Sequence, residues 1–217
     1  MMSFEIDIST IATLPAQQRI LLTAHRLFYQ EGIRATGIDK IIKESGVTKV
    51  TFYRHFPSKN DLISAFLEYR HQRWINWFIE ELKQQTLHHA NLALALTKCM
   101  ASWFEHPSFR GCAFINTTVE LGGLLPEIRE RAYQHKKQMA QEISRYLPQD
   151  DQCEIRSEII TMVLDGAIVK AQRELDFSAA LTLIHSTLQA LEPQWITKNI
   201  LRHSRRFFIC AYKALLP

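Results

Sequence analysis

Basic, hydroxyl and aromatic side chains cluster in one short segment, residues 48–55. Lys49 can reach a base edge or a phosphate, and Thr51 can bond a base edge or touch a thymine methyl group. Three further polar side chains can hold the DNA backbone: Tyr53, Arg54 and His55. The segment therefore predicts a helix that lies in a major groove.

A second basic group follows at Lys59, where the sequence predicts the start of another helix. Ser58 and Asp61 have the spacing of a capping pair, in which each side chain bonds the other residue's backbone amide. The dipole and the free amides of a helix N-terminus attract phosphate. We therefore expect Lys59 to add a phosphate contact.

The elements that must position these groups form a helix-turn-helix between residues 38 and 56. About two helical turns end at Gly46, because glycine tolerates the left-handed backbone that stops a helix abruptly. Val47 can then fold under into the core. Thr48 is placed to cap the next helix, since its hydroxyl oxygen can accept from free backbone amides.

Two phenylalanines anchor the second helix in this prediction. Phe52 and Phe56 lie four residues apart and share one face, so we expect them to pack against Ile41 and Ile42. The polar side chains then face outward or sideways. Spacing alone leaves a purely structural role open, because a short helix beside a glycine turn is common in all-α proteins.

Charge is distributed unevenly along the chain of 217 residues, although its net charge is only +4. Residues 15–60 carry a net charge of +5, residues 61–192 carry −4 and residues 193–217 carry +5. A basic head on an acidic body is typical of nucleic-acid binders, because phosphate neutralisation supplies much of their affinity. Alone this is weak evidence, because a charge run is more often just a solvated face.

Composition favours an ordinary globular protein. Hydrophobic residues make up 47% of the chain and charged residues 22%, which argues against disorder. Nowhere do eighteen apolar residues run together, and the N-terminus lacks signal-peptide features. The four cysteines lie far apart, which argues against a zinc site and a secreted disulfide framework. We therefore expect a cytoplasmic protein with reduced thiols and no metal, cofactor or membrane partner.

Apolar residues recur at helical spacing in almost every segment, so the sequence predicts an all-α fold. The first helix opens after Pro15 and stops near Gly32, and a long fourth helix begins at Ser58. Further helices follow as far as Leu191, and a last apolar stripe predicts a terminal helix beyond Pro193. Three short helices thus precede a larger helical body.

The segment of residues 17–67 resembles the DNA-binding head of the tetracycline-repressor (TetR) family of transcriptional regulators. Three elements carry the resemblance: Gly46-Val47-Thr48, Tyr53-Arg54-His55-Phe56 and Ser58-Lys59. The family's usual DNA contacts fall on Thr36, Gly37, Lys49, Val50, Thr51, Tyr53, His55 and Lys59. Two positions depart from the family pattern: Gly37 lacks a frequent small hydroxyl, and Val50 replaces a frequent glycine.

The resemblance also implies how the rest of the chain works. Two late helices, at about residues 154–172 and 178–191, pair with their mates in a homodimer that presents two heads to a palindromic operator. The family default is a repressor that a small-molecule effector releases from double-stranded operator DNA. The implied parts are an N-terminal arm, a helix-turn-helix head, an effector-binding and dimerisation body, and an extra C-terminal helix: residues 1–14, 15–60, 61–192 and 193–217.

Candidate residues for the effector pocket combine apolar walls with a few polar anchors. They are Trp103, Phe104, Phe114, Thr117, Glu120, His135 and Met139. Glu120 and His135 are the favoured anchors, because a buried polar group needs a partner or a ligand. Each of the seven remains open to the simpler interpretation of a core residue.

Cys112 is a candidate for redox or electrophile chemistry. It follows Arg110 and Gly111 where a helix is expected to begin after Pro107, and a helix N-terminus beside a cation favours the thiolate. The alternative is a small buried hydrophobic residue without a reactive role.

Two other function classes compete with a regulator. An enzyme finds no support, because the sequence lacks G-x-S-x-G, H-E-x-x-H, P-loop and dinucleotide-binding patterns, so we expect no catalytic residues. A helical adaptor that binds another protein would explain the helices. It would not explain the basic head or the residues from 48 to 59.

Overall fold

The computed structural model describes residues 12–89, 91–174 and 176–191. Within these ranges the chain is all-helical, with nine helices and no strand, which confirms the predicted class. The helices are α1 (Ala16–Glu31), α2 (Ile38–Ser45), α3 (Lys49–His55), α4 (Lys59–His88), α5 (Leu92–Phe104), α6 (Ala113–Leu121), α7 (Pro126–Ser144), α8 (Cys153–Arg173) and α9 (178–191). The expected arm up to residue 11 and the expected helix at 193–217 lie outside the described residues.

Helices α1, α2 and α3 form a head around one small core. α1 begins after Pro15 and ends at Gly32, as predicted, and the φ of 89° at Gly32 is one that glycine adopts readily. α1 contacts both α2 and α3. Because α2 has eight residues and α3 has seven, neither is long enough to be stable alone, and the shared core must hold them. Its largest fully buried side chains include Ile20, Leu27, Ile41 and Phe52.

Helix α4 connects the head to the body, which comprises α5 to α9. It begins with the predicted capping box: Ser58 Oγ accepts from the amide of Asp61 at 3.1 Å, and the amide of Ser58 donates to Asp61 Oδ2 at 2.9 Å. α4 has 30 residues, about 45 Å of helix, and runs continuously across the expected boundary at residue 60. It contacts α1 in the head and α5, α6 and α7 in the body.

Aromatic side chains from α4 and α5 fill the centre of the body. Trp74 and Phe78 stack with 4.9 Å between ring centroids, and Trp103 meets Trp74 edge to face at 5.3 Å. α7 packs against both α6 and α8. None of the helices in the described ranges is both long enough and apolar enough to cross a membrane.

Two histidines are buried among aromatic rings. His25 on α1 lies against three of them, and His135 on α7 stacks on Phe114 at 3.9 Å between centroids. Burial lowers the pKa of both imidazoles well below the usual 6.5, and nearby cations, first Arg70 for His25 and Lys136 for His135, lower it further. The folded protein therefore keeps both rings neutral.

We predict that the protein loses stability as the pH falls below about 6.5. The unfolded chain protonates both histidines there, whereas the folded chain does not, because the folded pKa values are depressed. The stabilising contribution is present above 6.5 and is lost as the pH falls toward the folded pKa values. Well below pH 6.5 each histidine lowers the free energy of unfolding by about 1.4 kcal/mol for every unit by which the pH falls. Urea unfolding at pH 7.5 and pH 5.5 measures the effect.

Two histidine variants separate this effect from a general acid effect. His25→Phe keeps an aromatic ring in an aromatic site and should remove about half of the pH dependence. His88→Phe changes an exposed side chain and should leave the pH dependence unchanged. Equal free energies of unfolding at the two pH values would contradict the prediction.

Candidate nucleic-acid interface and ligand cleft

The turn between α2 and α3 has the predicted helix-turn-helix geometry. Gly46 adopts a left-handed backbone, with φ 62° and ψ 36°, directly after α2. Thr48 caps α3, because its Oγ1 accepts from the amide of Thr51 at 3.2 Å. The glycine and the cap together fix the angle at which α3 leaves α2.

Phe52 and Phe56 anchor α3 on the head, as predicted. Phe52 is fully buried and Phe56 nearly so, and their ring centroids are 6.4 Å apart. Ile41 is fully buried in the same core, and Ile42 packs against it. This anchoring leaves the opposite side of α3 to solvent.

The free side of α3 combines positive charge with an apolar side chain. Val50 is 79% exposed, and Tyr53 is 40% exposed with its ring edge against Phe52. The half-buried His55 adds an imidazole in the last turn, and the hydroxyl of Thr51 is shared with Thr48 at 2.9 Å. The exposed residues of α3 are Lys49, Val50, Tyr53 and Arg54.

The side chain of Thr36 is buried and cannot contact DNA, which corrects the expectation for this residue. Its side chain is fully buried, and its Oγ1 donates to the carbonyl of Gly32 at 2.7 Å. The hydroxyl therefore holds the bend between α1 and α2. Gly37 is exposed at the N-cap of α2, so its backbone amide is the group left for a phosphate.

Lys59 is engaged with the protein rather than extended into solvent. Its Nζ donates to the carbonyl of Ile33 at 2.6 Å and lies 5.8 Å from the centre of the Phe28 ring. Burial lowers the pKa of Lys59, and the carboxylate of Glu120 acts in the opposite direction. The capping box also takes up the amides of Ser58 and Asp61. An ammonium has three donors, and the carbonyl of Ile33 takes one of them. A phosphate contact by Lys59 therefore stays a prediction, with fewer free donors than the sequence suggests.

A cleft of about 770 Å³ lies between the head and the body. α1 supplies one wall, and α6 with the ends of α5 and α8 supplies the others. Three of the seven expected pocket residues line it: Phe104, Thr117 and Glu120. Phenylalanines make up much of its apolar surface: Phe28, Phe66, Phe104, Phe109 and Phe177.

The other four expected pocket residues do not line this cleft. Trp103, Phe114 and His135 surround a much smaller cavity, while Met139 is fully buried and lines neither space. His135 Nδ1 lies 3.0 Å from Nδ1 of His71, so this polar ring has a protein partner without any ligand. Their placement corrects the expectation of a single pocket formed by all seven.

Hydrogen bonds tie the head to both ends of α6. The hydroxyl of Tyr29 donates to the carbonyl of Gly111 at 2.8 Å and accepts from the amide of Arg110 at 3.0 Å. At the other end Glu120 Oε2 accepts from the amide of Arg34 at 2.9 Å. A displacement of α6 therefore strains its hydrogen bonds to the head.

Comparison with known proteins agrees with the geometry of the head. The family model for bacterial regulatory proteins of the tetR family matches residues 20–66. An HTH-type transcriptional regulator of Staphylococcus aureus is 43% identical over 68 residues, which is 31% of this chain and 35% of that protein. The chain thus matches only about a third of the length of this curated relative.

Solved structures extend the likeness over the body. A TetR-family transcriptional regulator from Streptomyces coelicolor is 27% identical, with a TM-score of 0.72 over 88% of this chain and 96% of that one. The head of the chain thus matches the TetR family model, and its helical fold is similar to that of a solved TetR-family regulator. A TetR regulator from Chloroflexus aurantiacus shares the fold at 22% identity, with a TM-score of 0.68 over 82% of this chain and 94% of its own. Both of these solved proteins are described as transcriptional regulators.

Sequence reasoning missed several residues that shape this protein. Tyr29 reads as one more apolar position of α1, and Arg34 as an ordinary loop cation. Their partners lie 81 to 86 residues away along the chain, so no local sequence pattern predicts these contacts. The run of Arg110, Gly111 and Cys112 did carry a signal, since a glycine directly before a helix marks a special backbone position.

Proposed function

We propose that the protein is a sequence-specific DNA-binding transcriptional regulator, a repressor that a small-molecule effector releases from its operator. The observation that carries the proposal is the division of α3 into two sides. Phe52 is fully buried in the head, and the side chains on the far side face solvent with two cations and an exposed valine. A short helix presented in this way suits a major groove.

The exposed side chains take different parts in this proposal. Lys49, in the first turn of α3, reaches base edges or phosphate, and Val50 makes an apolar contact with a thymine methyl group. Tyr53, Arg54 and His55 hold the backbone and set the register of the helix in the groove. The amide of Gly37 adds a phosphate contact.

The first test removes a cation from α3. Lys49→Ala should raise the Kd for DNA from the promoter beside the protein's own gene by about tenfold, or about 1.4 kcal/mol. It should also reduce the slope of log Kd against log salt by about one if the contact is to phosphate. Fluorescence anisotropy of a labelled duplex measures both quantities.

Lys83→Ala provides the matched control, because it removes the same charge from an exposed position in the second half of α4. Its Kd should stay within about twofold of the parent value, less than about 0.5 kcal/mol. An equal loss of DNA affinity in the two variants would mean that binding depends only on the net charge of the protein, and the proposed interface would be wrong.

Helix α8 offers a surface for the homodimer. Ile155, Met162 and Val169 are seven residues apart in turn, so they lie on one side of the helix, and each is about half or more exposed. Gly166 is exposed beside them, with open space where a Cβ would point, which lets a partner helix come close. Leu183 on α9 is also exposed. We propose that α8 and α9 pair with their mates and so present two heads to a palindromic operator.

Met162→Glu tests this assembly by placing a charge at the centre of the proposed interface. Sedimentation velocity should show a dimer for the parent protein and a monomer for the variant, because like charges would face each other without solvent. Tyr133→Glu, at an exposed apolar position on α7, should remain dimeric. A monomeric parent protein, or a dimeric Met162→Glu variant, would contradict the proposal.

The cleft between head and body is the proposed effector site. Its volume and phenylalanine walls suit a small ligand with an aromatic or apolar body, and Arg110, Asn116 and Glu120 supply polar contacts at its edge. Because hydrogen bonds join the head to both ends of α6, a ligand that displaces α6 also displaces the head. Such a displacement would change the spacing of two heads and weaken operator binding.

The fluorescent probe 1-anilinonaphthalene-8-sulfonate tests the cleft. Its rings fit phenylalanine walls and its sulfonate suits Arg110, so we expect saturable binding that weakens operator binding. Val119→Trp fills the rim at an exposed position and should weaken probe binding at least fivefold, while Leu124→Trp, exposed outside the cleft, should not. Saturable probe binding that leaves operator affinity unchanged would exclude this cleft as the effector site.

A further inference from the structure

A small cavity inside the body brings a thiol beside several polar groups. Its walls include Arg70, Trp74, Trp103, Cys112, Phe114 and His135. The cavity has about 10 Å³ of free space, which is close to the room that a single water molecule needs. It is therefore too small for a ligand of the size that suits the cleft, and it selects for very small molecules.

One residue in the wall of this cavity carries a donor with no hydrogen-bond partner among the described residues. The indole N–H of Trp74 is buried and makes no hydrogen bond, although the side chain is only 3% exposed. An unsatisfied buried donor costs about 1–3 kcal/mol, so the site favours a small molecule that carries an acceptor oxygen. Cys112 lies in the wall of the same cavity.

A half-buried cation stands next to Cys112. Lys136 on α7 interacts with the thiol and pairs with Asp165 on α8. Burial lowers the pKa of Lys136, but its interactions with Cys112 and Asp165 outweigh burial and raise the pKa overall, so the ammonium stays charged. Cys112 is also the N-cap residue of α6, where the helix dipole favours negative charge. Both features place positive charge or the positive end of a helix dipole beside the sulfur.

We propose that Cys112 is a peroxide-reactive thiol that hydrogen peroxide oxidises in this cavity. The sulfur attacks one peroxide oxygen, the O–O bond breaks and an S–O bond forms, which oxidises the thiol to a sulfenic acid and reduces the peroxide. The thiol proton ends on the departing hydroxide, which leaves as water. The Lys136 ammonium stabilises the charge on sulfur, and the indole of Trp74 donates to a peroxide oxygen.

Oxidation at this position reaches the head through the backbone. Cys112 follows Arg110 and Gly111, whose amide and carbonyl bond the hydroxyl of Tyr29 on α1. The oxygen added to the sulfur stays in a cavity of about 10 Å³, so walls that move apart to admit peroxide cannot return fully to their packed positions. Oxidation should therefore strain this link and weaken operator binding, a consequence that rests on the proposed function.

The experiment treats the full-length, reduced Cys210→Ser protein with hydrogen peroxide and traps sulfenic acid with dimedone. Peptide mass spectrometry then gives the labelling rate of each cysteine. Cys112 should react at least tenfold faster than Cys153, although Cys153 is the more exposed thiol. Labelling of Cys112 no faster than that of Cys153 would overturn the proposal.

Two variants test the roles of the neighbours. Lys136→Met removes the charge and should slow labelling of Cys112 at least tenfold, with the rate at Cys153 unchanged. Trp74→Phe keeps an aromatic ring, removes the N–H, and should slow labelling about threefold, with near-parental stability. Unchanged rates at Cys112 in both would refute the site. Labelling does not require DNA. Slow labelling of Cys112 would therefore contradict the thiol proposal without affecting the proposed operator binding by the reduced protein. A lack of operator binding would likewise leave the thiol proposal unaffected.

Discussion

The burial of Phe52 is the constraint on which the head depends. α3 has seven residues, too few to hold a helix in water without support, so its existence and its orientation come from the core beneath it. Once the Phe52 ring is fixed against α1 and α2, rotation of α3 is fixed as well. That rotation decides that Lys49 and Val50 face solvent. A single apolar contact thus selects the side chains that α3 presents to solvent.

Local signals made the head predictable from the sequence. A left-handed glycine at Gly46, the cap at Thr48 and the pair of Ser58 and Asp61 each act within a few residues, so type and spacing were enough. Burial of Phe52 followed from helical periodicity. The all-α class was equally accessible, because apolar stripes recur at helical spacing throughout the chain.

Contacts between distant segments were beyond such reasoning. Lys59 was expected to face a phosphate, but Ile33, 26 residues earlier, offers a carbonyl that the sequence does not reveal. Thr36 carries the right side chain for DNA, and only packing shows that it is buried. The pocket prediction failed in the same way: residue types suited a ligand, yet the three-dimensional arrangement divided them between a cleft, a small cavity and the core.

Polar contacts between head and body have a different physical character from the apolar core of the head. The hydrophobic effect that stabilises the apolar core has no preferred direction, and the core resists displacement through close packing. The bonds of Tyr29 and Glu120 to backbone groups of the opposite part require a narrow range of distances and angles, so a small displacement breaks them. α6 carries such bonds at both ends and lines the cleft between them. A contact of this kind favours two discrete arrangements over continuous drift, and the proposed function needs that property in the link between body and head.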